Sequence, residues 1–118
     1  PALAAAIRAD GVHWPEAHLR GVRKRSPHFI ETASAHSRAG IARAHALGLD
    51  AAILSTVFPS RSPSASRAMG PLRFRLIAQA APMPVYALGG VNERNAARAT
   101  KHAAGWAAID VVVSGWGD

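Results

Sequence analysis

The stretch Pro84-Val-Tyr-Ala-Leu-Gly-Gly-Val-Asn92 decides how this chain is read. Pro84 to Leu88 is short, apolar and bounded by a turn residue, as a buried strand is. Gly89 and Gly90 follow directly, and Asn92-Glu93 can then open a helix. A strand, a tight glycine turn and a helix start form one half of a βα repeat. Two glycines in that place also let backbone N–H groups approach an oxyanion, with the positive end of the next helix behind them. A tight turn that needs positive φ explains the same two glycines without a ligand.

Working outward, the same rhythm recurs. Strands are expected at Asp10–Trp14, Phe29–Ser34, Ala51–Phe58, Pro84–Leu88 and Trp106–Val113. The later ones run almost continuously apolar, as strands covered on both faces do. Helices are expected over Ser37–Leu47, with Ile41, Ala44 and Leu47 on one face before Gly48. A second is expected over Gly70–Gln79, with Leu72, Leu76 and Ile77 on one side, and a third over Asn92–His102. Ala2–Arg8 reads as the tail of another helix. About five alternations of strand and helix predict an α/β fold built of parallel βα units. A complete (β/α)8 barrel takes on the order of 200 residues or more, and this chain has 118. The expectation is therefore a single partial barrel domain over residues 1–118.

Composition narrows the function classes. Apolar residues make up 49% and charged residues 18%, which suits a globular chain. The net charge of +7 suggests a nucleic-acid partner, but the basic residues are spread along the chain. The one dense cluster, Arg20, Arg23, Lys24 and Arg25, has no aromatics interleaved for base stacking. No nucleic acid is expected. Cysteine is absent, which removes disulfides and thiolate metal sites. No apolar run approaches the ~20 residues of a membrane span, and Arg8 and Asp10 interrupt the alanine-rich opening where a signal peptide would need an apolar run. A soluble, cytoplasmic protein without a membrane partner is the expectation.

In parallel βα proteins chemistry gathers where strands end. Those ends carry His13, Glu16, Ser34, His36, Ser55, Ser60, Ser62, Gly89, Gly90, Asn92 and Asp110. Ser34 and His36 are two apart and share a face if the strand runs on. His is the natural proton shuttle near neutral pH. The alternative makes Ser34 or Ser37 a helix cap and His36 a loop residue. Phe58-Pro-Ser-Arg-Ser62 offers hydroxyls and an Arg to a phosphate, or else begins a Ser/Pro-rich connector. The spacing of His13, Glu16 and His18 fits no zinc pattern, and no metal ligands are assigned. His28, His45 and His102 read as surface or packing histidines.

Taken in order, these motifs resemble the thiamine phosphate synthase and thiazole tautomerase superfamily. Asp10-Gly-Val-His13 resembles its fourth strand, and Ser34-Ala-His36 the Ser-x-His that ends its fifth. Phe58-Pro-Ser-Arg-Ser62 resembles the phosphate loop after the sixth. Ala87-Leu-Gly-Gly-Val91 with Asn95 resembles the Gly-Gly loop after the seventh, and Trp106-Ala-Ala-Ile-Asp110 the eighth strand. The resemblance implies the C-terminal portion of a TIM (β/α)8 barrel. It also implies a transferase of thiamine biosynthesis that joins an aminopyrimidine diphosphate to a thiazole phosphate carboxylate, releasing pyrophosphate and carbon dioxide, with Mg²⁺ as cofactor. Ser34 would then contact the pyrophosphate or pyrimidine. Ser60, Ser62, Gly89 and Gly90 would hold the thiazole phosphate, and the backbone at Ile109 and Asp110 would complete the cup. A related thiazole tautomerase would use His36 as acid and base.

The sequence departs from that pattern in places. His18 stands where a Mg²⁺ aspartate is expected, with Glu16 as the nearby carboxylate. Pro63 stands in place of a lysine, and Asp110 in place of a common serine. A further class of function, a non-catalytic phosphate-ligand-binding half-barrel that pairs as a homo-oligomer, follows from an uncapped sheet edge.

Overall fold

The computed structural model describes residues 10–22, 28–61 and 67–107. Ala2–Arg8, most of the basic cluster, Ser62, Ile109, Asp110 and the strand beyond Ala107 lie outside them. Within them the chain forms one five-stranded parallel sheet in the order β1-β2-β3-β4-β5. The strands are β1 (Gly11–Trp14), β2 (Ile30–Ala35), β3 (Ala51–Leu54), β4 (Val85–Ala87) and β5 (Gly105–Trp106). Three α-helices lie between them: α1 (Arg38–Ala46), α2 (Pro71–Ala80) and α3 (Ala96–Ala99). A 3₁₀ turn, Glu16–His18, follows β1, and another, Thr100–His102, extends α3.

The register sorts side chains into two faces, because successive strand residues alternate. Thr32 pairs with Ala51 and Ala33 with Ala52, while Leu54 pairs with Ala87. Ala33, Ala35, Ala52, Leu54, Val85 and Ala87 are all buried against the helices. They meet Ile41 and Ala44 of α1, Phe74, Ile77 and Ala78 of α2, and Ala96 and Ala99 of α3 in one core. The small strand residues let the helix backbones approach, and Phe74 fills the resulting space with no exposure.

The opposite face carries His13, Thr32, Ser34, Ile53 and Tyr86 in register. It is only partly covered: Ile30 is 62% exposed and Tyr86 36%. Strands buried on both faces were expected, and here the helices cover one. The face that would line a barrel interior stays open among the described residues.

Helix ends follow the sequence more closely than helix faces. Ser37 caps α1, its side chain accepting from the Gly40 amide at 3.2 Å. Gly70, at φ 84°, precedes Pro71 at the first position of α2, where proline loses no helical hydrogen bond. Leu72 and Leu76, expected on the buried side of α2, are instead 67% and 52% exposed. Ile77, expected beside them, is buried, and Phe74 and Ala78 take the other inward places.

The helix expected over Asn92–His102 shrinks to Ala96–Ala99. The Asn92 side chain accepts from the amides of Arg94 (2.8 Å) and Asn95 (3.1 Å), the contacts of the expected N-cap, and the Ala96 amide donates to Asn92 O (2.9 Å), but regular helix begins only at Ala96. The strand expected over Ala51–Phe58 stops at Leu54, because the next residues turn under β4: Val57 N–H donates to Leu88 O and Phe58 N–H to Gly89 O.

Candidate active site at the carboxyl ends of the strands

Three clusters gather where the strands end. The first joins β1 to β2. His13 Nε2 lies 2.8 Å from Ser34 Oγ, and His13 Nδ1 lies 2.8 Å from Thr32 Oγ1. The register His13↔Thr32 makes this contact, since both side chains leave the sheet on one face. In a neutral imidazole one nitrogen donates and the other accepts, so one hydroxyl accepts from the ring and the other donates to it. Burial pushes the His13 imidazole below its ordinary value of 6.5, favouring that neutral form.

A pH dependence follows from this. The unfolded chain takes up a proton at His13 as pH falls through 6.5, before the folded protein does. Stability is therefore lost as pH falls through 6.5 toward the lower folded value. Thermal melts between about pH 7 and pH 5 are expected to show a drop in Tm for the native protein. The drop should be smaller in His13→Gln, and equal slopes would count against the assignment.

The second cluster joins the Glu16–His18 turn to the end of β2. His36 Nδ1 meets Glu16 Oε2 at 2.5 Å. Gly40, buried in the first turn of α1, makes room for the other carboxylate oxygen: a Cβ there would collide with Glu16 Oε1. Glu16 thus sits against the first turn of α1 and orients the His36 ring. Ser34 and His36, expected to point together at a ligand, each hold a different partner. Ser34 pairs with His13 across the sheet, and His36 with Glu16 just beyond it.

The third cluster is the turn after β4. Gly89 and Gly90 adopt φ of 100° and 61°, in the region open to glycine. Side chains would also collide there, at Gly89 with Thr56 Cα (2.9 Å) and at Gly90 with Phe58 Cβ (2.9 Å) and the Pro59 carbonyl. Asn95 braces the turn, donating from Nδ2 to Gly90 O (2.9 Å) and accepting from the Asn92 amide (2.8 Å). Arg98 stacks 5.4 Å above the Phe58 ring beneath. Among the described residues the Gly89 and Gly90 amides donate to no protein acceptor. Half-buried Ser60 stands two residues after Phe58. Of the phosphate-binding positions expected, Ser60, Gly89 and Gly90 are therefore described, and Ser62, Ile109 and Asp110 are not.

No group of three or more His, Asp or Glu that could hold a metal ion occurs among the described residues. Glu16 is engaged by His36, and His18 offers nitrogen where Mg²⁺ takes oxygen. These residues do not fit Mg²⁺. No helix among them is long and apolar enough to cross a membrane. His13 was legible as a strand-end residue, but its partnership with Ser34 and Thr32 needed the sheet register. Arg67 and Arg73, which line a cavity with His36 and Ser55, carried no motif at all.

A sequentially ordered parallel sheet with its polar groups at the carboxyl ends defines the C-terminal portion of a TIM (β/α)8 barrel. Residues 1–112 match the family model described as thiamine monophosphate synthase. The chain belongs to that family. It is 35% identical over 91 residues to the putative thiamine-phosphate synthase 2 of Aquifex aeolicus, covering 75% of this chain and 49% of that protein. It is 34% identical over 101 residues to the thiamine-phosphate synthase of Pyrococcus furiosus, covering 84% and 49%. The solved thiamine phosphate pyrophosphorylase from Pyrococcus furiosus superposes with a TM-score of 0.70 at 29% identity, over 92% of this chain and 52% of that one. The chain spans about half the length of the curated relatives it matches.

Proposed function

We propose that this chain serves thiamine biosynthesis as the phosphate-holding part of a thiamine phosphate synthase-like transferase. Such an enzyme couples an aminopyrimidine diphosphate to a thiazole phosphate carboxylate, with release of pyrophosphate and carbon dioxide. The observation that carries the reading is the turn after β4, with two adjacent amides lacking a protein acceptor among the described residues and braced by Asn95. Amides in that state suit an oxyanion, because the fold has already constrained them and they need not reorganise to bind it. Gly89 and Gly90 would donate to the thiazole phosphate, with Ser60 beside them. Ser34, fixed by His13, would present its hydroxyl to the pyrophosphate or pyrimidine. The partners in this reading are small phosphorylated molecules, and the compartment is the cytoplasm.

The test is turnover of the full chain with both substrates, Mg²⁺ being supplied. Thiamine phosphate and pyrophosphate appearing in equal amounts are expected, and no product from either would overturn the reading.

The Glu16–His36 pair favours a second reading, a thiazole tautomerase. A carboxylate that orients an imidazole is the usual arrangement for an acid–base histidine. In that case His36→Ala is expected to slow isomerisation of the thiazole phosphate carboxylate by about 100-fold or more, read by product NMR. Unchanged isomerisation would eliminate His36 as the acid–base group.

A further inference from the structure

His13 and Ser34 meet on the open face of the sheet, away from the core that the helices cover. His13 is reachable from solvent, and Ser34 and Thr32 are half-buried. The imidazole bridges two hydroxyls: Nε2 lies 2.8 Å from Ser34 Oγ and Nδ1 lies 2.8 Å from Thr32 Oγ1. With the ring proton on Nδ1, Thr32 accepts it, and the Nε2 lone pair is left to accept from the Ser34 O–H. A nucleophile within hydrogen-bond reach of a base, with that base oriented by a third group, is the arrangement that activates a hydroxyl. Partial burial keeps the imidazole neutral near neutral pH, the state in which Nε2 can take up a proton.

We infer that Ser34 is a nucleophile with His13 as its general base, and that the pair transfers acyl groups from small activated esters to water. Ser34 Oγ attacks the ester carbonyl carbon while its proton passes to His13 Nε2. The Oγ–C bond forms, the bond to the leaving alcohol breaks, and the alcohol carries off the proton from the imidazolium. Water then attacks the acyl group on Ser34 and gives a proton to His13. The carboxylic acid departs as Oγ recovers that proton. Thr32 holds Nδ1 throughout as a positioning residue. Ser34 is the better nucleophile of the two hydroxyls, because it stands one residue from the carboxyl end of β2 and has no methyl group on Cβ. Activation by a base suits esters whose alcohol leaves readily, such as those of nitrophenol. This ester cleavage is independent of the transfer reaction proposed above, and absence of thiamine phosphate formation would leave it standing.

The test treats the full chain with a fluorophosphonate, which bonds through phosphorus to a nucleophilic hydroxyl and releases fluoride. Peptide mapping is expected to place the label on Ser34 and to find none there in Ser34→Ala. Labelling of Ser34 should be slower by about 100-fold in His13→Gln, the low end of what a general base supplies. Nitrophenolate release from p-nitrophenyl acetate should fall sharply in Ser34→Ala and stay unchanged in His45→Gln, which removes an exposed histidine of α1. The native chain gives a second readout that needs no variant to fold. Its labelling rate should be level near neutral pH and fall only below 6.5, as His13 takes up its proton. No label on Ser34, equal labelling rates in the native chain and His13→Gln, or a rate still rising above about pH 7 would overturn the assignment.

Discussion

Replacing Phe74 by Ala is expected to lower the unfolding free energy by roughly 3–5 kcal/mol, the range for deleting a fully buried aromatic side chain. Phe74 is the largest fully buried side chain among the described residues. It stands on the inner stripe of α2 and fills the space left by a sheet face made largely of alanine. Ala33, Ala35, Ala52 and Ala87 are themselves fully buried and have no length with which to collapse into the void. A domain holds only roughly 5–15 kcal/mol in total, and this sheet is covered by helices on one face. Urea denaturation with a common slope should place the variant's midpoint far below that of the native chain. Leu72→Ala, on the exposed stripe of the same helix, should move it little. Comparable losses at both positions would mean that α2 packs in the other register.

The second large effect is expected at Gly90. Gly90→Ala introduces two penalties together. The backbone at φ 61° holds a conformation that costs a side chain about 1–3 kcal/mol, and the new Cβ collides with Phe58 and the Pro59 carbonyl. The collision cannot be relieved by rotating a flexible side-chain end, because the obstacles are a carbonyl and a Cβ. The turn must move, and Asn95 Nδ2 would lose its hold on Gly90 O. Gly70→Ala makes the comparison: its φ of 84° is equally unsuited to a side chain, but nothing lies within 4 Å of the added Cβ. Gly90→Ala should therefore be clearly less stable than Gly70→Ala in parallel denaturation curves. On the proposed function it should also lose binding of inorganic phosphate, for which the displaced amides would be the donors. Equal stabilities would show that strain alone matters at Gly90.

Much of the fold was readable before any coordinates, and the reasons are local. The strand–Gly–Gly–helix unit at Pro84–Asn92 announced a βα repeat, because positive-φ turns need glycine wherever they occur. Ser37 identified the start of α1 through its own side chain, and all five expected strands appear in the sheet, the last described only at Gly105–Trp106. The departures arise where two local solutions compete. Leu72 and Leu76 compete with Phe74 and Ala78 for the places beside Ile77 on α2, and the packed helix buries the latter two. The Asn92 side chain caps as expected, but residues 93–95 form a turn and regular helix starts only at Ala96. The strand after Ala51 ends early because Val57 and Phe58 bond to Leu88 and Gly89, some thirty residues further on.

The candidate site divides along the same line. By itself the sequence determined that the chain is a series of parallel βα units, that its polar chemistry lies at the strand ends, and that Gly89 and Gly90 form a turn bare of side chains. Those properties depend on backbone preferences and on residues close in the chain. Only the tertiary structure decided that His13 holds Ser34, that Glu16 holds His36, and that Arg67 and Arg73 line one cavity with His36 and Ser55. Each of those depends on which residues the sheet register and the helix entries bring side by side, and sequence spacing carries no record of that.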